Sequence, residues 1–84
     1  MTTARFTNEV TGWQVQVPPG WLYPVEVIPL TGPITADKAL ARVTIGEHTY
    51  QHSGYTVGQA LQRLSEKIVM AGLRVWFLAP GEKP

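Results

Sequence analysis

The chain has 84 residues, of which 44% are apolar and 15% charged, a composition that builds one small globular domain over residues 1–84 and excludes a disordered chain. The net charge is +1 and the seven basic residues are scattered, which argues against a dedicated footprint for nucleic acid or an anionic membrane. Without cysteine there is no disulfide framework or thiol chemistry, and no apolar signal core or span of ~18 residues is present, so a soluble, cytoplasmic protein with no membrane partner is expected.

Residues 5–17 read as a hairpin. Trp13, Val15 and Val17 alternate with Gln14 and Gln16, and Thr11-Gly12 offers a two-residue loop that would pair Val10 with Trp13 and Phe6 with Val17. Pro18-Pro19-Gly20 is a turn, with proline setting the first corner and glycine supplying a positive φ. The next stretch, residues 21–30, is extended but carries Pro24 and Pro29. Proline has no ladder donor, so this stretch is an edge strand or an irregular crossing segment.

Thr31-Gly32-Pro33 is another turn, and residues 34–40 admit one helical turn capped by Thr35. Residues 41–52 form a second hairpin about Gly46-Glu47, glycine coming first as a type II′ turn requires. Ala41, Val43 and Ile45 then share a face with His48, Tyr50 and His52.

Residues 55–78 carry the clearest pattern. Thr56 followed by Gln59 fits a capping box, and Val57, Leu61, Leu64 and Ile68, with Ala60 and Ala71, repeat at helical spacing. Gly72 suits the left-handed position after a helix, where Leu73 would touch Ile68. Residues 73–78 are a final, very apolar strand, and residues 79–84 a polar tail expected to fray.

The expected fold class is α+β: an antiparallel sheet of four to five strands with a single amphipathic helix packed on one face, in the order β-β-β-β-α-β. One helix cannot cover two faces of a sheet. Leu73, Val75 and Phe77 can face it, which leaves Trp76 and Leu78 pointing away, with Arg74 beside them and Met70 on the polar flank of the helix. Either residues 21–30 wrap that second face or a second subunit does. Met70, Arg74, Trp76 and Leu78 are therefore the candidate interface of a homodimer.

No catalytic constellation stands out. His48 and His52 would lie ~13 Å apart on a strand, too far to share a metal ion, and Glu47 projects to the other face. Ser53 is only a sequence neighbour of His52, Asp37 is the single aspartate, and Glu9, Glu26 and Glu66 come from separate elements. No phosphate-binding glycine loop occurs. A non-enzymatic protein without cofactor is expected. Trp13, Trp21, Tyr23 and Tyr50 could instead form an aromatic patch that stacks a small planar ligand.

The stretches TGWQVQVPPG and YTVGQALQRLSEKI resemble HicB-type antitoxins, in which a hairpin leads through a Pro-Gly stretch to a Thr-capped helix and a last strand. In that family the Pro-Gly stretch lies close to the helix, whereas here residues 21–54 intervene. The resemblance implies a regulator that binds a toxin or nucleic acid. Composition and patterning favour a non-catalytic, self-associating interaction module, such as a small inhibitor or accessory protein of phage or bacterial type, with the antitoxin-like regulator and the aromatic ligand binder as alternatives.

Overall fold

The computed structural model describes residues 6–31 and 36–82. The elements are β1 (Gln14–Val17), β2 (Trp21–Pro24), β3 (Glu26–Pro29), β4 (Ala39–Ile45), β5 (His48–Gly54), α1 (Val57–Met70) and β6 (Trp76–Leu78). The α+β class holds, but the single sheet of four to five strands does not. Two antiparallel three-stranded sheets form instead, in the orders β2-β1-β6 and β3-β4-β5.

Prolines explain the division. β2 and β3 each end on a proline, Pro24 and Pro29, and each is an edge strand. Between them the chain changes sheet at Val25, which is buried and whose N–H donates to Trp13 O at 3.0 Å. The stretch expected to be an edge strand or a crossing segment is thus both. Its first half does not wrap the Trp76 face, because β2 lies in the same sheet as β6 with β1 between them.

The hairpin about Thr11-Gly12 does not form. β1 pairs through the 18–20 turn with β2, matching Val15 to Tyr23 and Val17 to Trp21, and on its other side with β6, matching Val15 to Phe77. Phe6 reaches the core as a ring rather than a cross-strand partner, 5.7 Å from Trp13 and 5.5 Å, edge-on, from Phe77 between centroids. Gly12 takes φ 97° and lies against Pro80, where a Cβ would come within 2.9 Å of the proline ring. The next turn also differs from expectation: the Pro18–Pro19 peptide is cis and Gly20 is not at positive φ.

The second hairpin forms in the expected register, with Ile45 opposite His48, Val43 opposite Tyr50 and Ala41 opposite His52. Gly46 has φ 65° and Glu47 is not at positive φ, as a II′ turn requires. The helical turn expected over 34–40 is overturned at its end, since Ala39 and Leu40 belong to β4; residues 32–35 lie outside the described residues.

Ala39, Ala41 and Val43 are buried on the face that meets α1. The opposite face carries the Arg42–Glu26 ion pair (3.0 Å) and the Thr44–Thr49 hydroxyl contact (2.9 Å) beside the half-buried Ile28–Leu40 pair. Gly54, opposite Ala39, allows strand and helix to touch: a Cβ there would lie 2.6 Å from Ala60 N.

The helix forms as its sequence predicts. Thr56 Oγ1 accepts from Gln59 N (3.0 Å), and Gln59 Oε1 accepts in return from Tyr55 N (2.7 Å), one residue earlier than a standard capping box. Ala60, Leu61, Leu64 and Ile68 form the buried stripe, whereas Ala71 is the exposed C-cap rather than part of it. At about 1.5–3 kcal/mol per large side chain, that stripe alone contributes several kcal/mol. Gly72 sits at φ 93°, Gly72 N donates to Val69 O (2.9 Å) and Leu73 N to Ile68 O (3.3 Å), the two bonds of a Schellman closure.

The last strand is shorter than residues 73–78, because the closure uses residues 72 and 73 before pairing with β1 begins. After it, residues 79–82 close a turn: Ala79 N donates to Glu82 Oε1 (2.7 Å) and Glu82 N to Ala79 O (2.9 Å).

Candidate interaction surfaces

Antiparallel pairing sets what the first sheet shows to solvent. Val15, Tyr23 and Phe77 lie on its core face, so their neighbours Gln16, Leu22 and Trp76 form a cross-strand row on the outer face. Trp76 is 59% exposed and Leu22 41%. Beside this row a groove of about 490 Å³ is lined by Gln16, Pro18, Pro19, Arg74, Val75 and Trp76. Trp76 and Arg74, two of the four expected interface residues, therefore share one surface.

The other two do not join them. Leu78 also points away from Phe77, but it is only 1% exposed and so does not share the open surface of Trp76. Met70 is 87% exposed and lines a different groove, with His52, Arg63, Glu66 and Lys67. Among the described residues, no segment covers it or Val69, which is 57% exposed.

The aromatic patch is not assembled. Trp13 is fully buried, its indole N–H donating to Glu9 O at 2.8 Å. Tyr23 and Tyr50 are half-buried against the core. Trp21 is exposed at the rim of the core face, opposite Val17, and so on the other side of the sheet from Trp76. None of the grooves described here takes a wall from these four residues.

Around the histidines the structure makes one contact that spacing could not show. Ser53 Oγ donates to Asp37 Oδ2 at 2.5 Å, joining the segment that leads into β4 to the end of β5. His52 turns its Nδ1 to the Ser53 carbonyl (2.8 Å), which accepts from it, so the ring does not stand over the hydroxyl as a general base would. Among the described residues, no three His, Cys, Asp or Glu side chains gather closely enough to hold a metal ion.

The chain matches no family model, no curated protein and no solved structure. The HicB-type resemblance therefore assigns no family. Among the described residues, no helix is long and apolar enough to cross a membrane.

Sequence reasoning missed Leu22 as part of the Trp76 surface, because the row depends on β1 lying between β2 and β6. It also missed Lys67, whose Nζ donates to Gln51 O on β5 at 3.0 Å. A signal was available: Arg63, Lys67 and Met70 recur at i, i+4 and i+7 along one helix stripe.

Proposed function

We propose that this chain is a non-catalytic protein-interaction module that self-associates through the outer face of its first sheet. The observation that supports the reading is the row of Leu22, Gln16 and Trp76, apolar at both ends and neutral at its centre. Residues 21–24, the first part of the stretch expected to cover this face, extend it by contributing Leu22. Arg74 supplies the one charge in the adjoining groove. A near-neutral molecule, at net charge +1, suffers little repulsion from its own copy. Each Trp or Leu withdrawn from water stabilises association by roughly 1.5–3 kcal/mol before ordering costs.

Sedimentation at micromolar concentration tests the reading. The wild type is expected as a dimer, and Trp76→Glu and Leu22→Glu as folded monomers with unchanged circular dichroism. A wild type that stays monomeric at every accessible concentration, or variants that keep the dimer mass, would overturn it.

A small-ligand binder is the second reading. The groove beside Trp76, at about 490 Å³, falls in the range used by small-molecule sites, and Arg74 would favour a planar anion. Saturable quenching of Trp76 emission by such a ligand, with no change of mass, distinguishes this case.

A further inference from the structure

β5 is the longest exposed sheet edge among the described residues. It runs seven residues, His48–Gly54, pairs only with β4, and contains no proline. The other edge strands are four, four and three residues long, and two of them end in proline. Because the turn closes on the Ile45–His48 pair, alternate residues of β5 bond to β4, and the backbones of Thr49, Gln51 and Ser53 point outward. The Lys67 contact to Gln51 O bears this out.

That edge runs between two grooves. On the helix side lies one of about 570 Å³, walled by His52, Arg63, Glu66, Lys67 and Met70. The other, of about 300 Å³, is walled by Leu40, Gln51, His52, Ser53 and Lys67. His52 and Lys67 belong to both, so the grooves adjoin along the strand. A chain added to β5 would direct successive side chains alternately to its two faces, one toward each groove.

From this geometry we infer that the β5 edge, with the second half of α1, receives an extended segment of a partner protein as a fourth strand of the second sheet, and that this segment carries a carboxylate facing Arg63 and Lys67. Backbone bonds to Thr49, Gln51 and Ser53 supply affinity without sequence preference, and the groove supplies the preference. Its charges are unequal: Arg63 and Lys67 face the single carboxylate of Glu66. Met70, largely exposed at the end of the stripe, is a soft apolar seat for a neighbouring side chain. In the unbound protein Lys67 covers the Gln51 carbonyl, a positive charge placed where it discourages unwanted edge pairing. An incoming carboxylate draws the ammonium off that carbonyl and opens the edge. This surface lies on the second sheet and stands independently of the Trp76 face.

The probes are two blocked seven-residue peptides of alternating valine and threonine, identical except for glutamate or lysine at the centre, titrated into the full chain labelled with ¹⁵N. The expected result is that the amides of Thr49, Gln51 and Ser53 shift and slow in hydrogen exchange, with the glutamate peptide binding about tenfold tighter. Lys67→Glu should reverse the preference. Gln51→Pro, which removes one outward donor from an edge strand, should weaken both peptides equally. If that variant fails to fold, the Lys67→Glu reversal alone decides. Unmoved β5 amides at millimolar peptide, or equal binding of the two peptides, would overturn the inference. So would β5 amides already protected in a dimer without peptide, since a second copy would then occupy the edge.

Discussion

Asn8 Oδ1 accepts the backbone N–H of Gly58 at 3.1 Å, across fifty positions of sequence. Gly58 is the second residue of α1, so its N–H has no partner within the helix. Thr56 satisfies Gln59, and the segment before β1 satisfies Gly58. The helix start is therefore capped from two directions, one local and one tertiary. Thr56→Ala and Asn8→Ala should each lower stability by about 1 kcal/mol, read as a shift of the denaturant midpoint with unchanged slope. An Asn8→Ala midpoint equal to wild type would mean that water serves Gly58 as well as the side chain does.

Gly54 is the point where β5 meets α1 most closely. An alanine Cβ there would stand 2.6 Å from Ala60 N and 3.0 Å from Ala60 Cα, both backbone atoms that cannot rotate away. Gly54→Ala should therefore destabilise by about 1–3 kcal/mol as the helix is pushed off the sheet. Gly20 has no atom within 4 Å of the corresponding position and is not at positive φ, so Gly20→Ala is the matched control and should cost little. Equal midpoints for the two variants would contradict the close contact.

The three tryptophans should separate by quenching. Trp13 is 1% exposed, whereas Trp21 and Trp76 are 63% and 59% exposed. Iodide should quench Trp21 and Trp76 in dilute protein and spare Trp13, so that Trp13→Phe leaves an almost fully quenchable emission. The same change removes the indole bond to Glu9 O and part of the ring volume, at roughly 2 kcal/mol of stability. An emission component still protected in Trp13→Phe at low concentration would place another tryptophan inside the fold.

Much of α1 was legible because its signals are local. Thr56, Gln59 and Gly72 act on backbone groups within a few residues, and the stripe through Leu61, Leu64 and Ile68 depends only on helix periodicity. The hairpin about Gly46 was legible for the same reason: turn chemistry and register lie within one contiguous stretch. The first sheet was not. Its central strand takes one partner from the next four-residue strand and the other from the C-terminal end of the chain, and no local pattern in residues 14–17 names either.

By itself, then, the sequence determined the helix with its Thr56 cap and Gly72 closure, the Gly46 hairpin, the alternation of Trp13, Val15 and Val17 toward the core, and the α+β class. Each follows from propensity, spacing or turn geometry inside a short window. Only the tertiary structure decided that the proline-bearing stretch divides between two sheets, that Leu78 is buried while Trp76 stays open, and that Lys67 reaches the edge of β5. Those outcomes depend on which strands become neighbours. That choice is made by the burial of the whole chain, since a strand presents the same alternating faces whatever lies beside it.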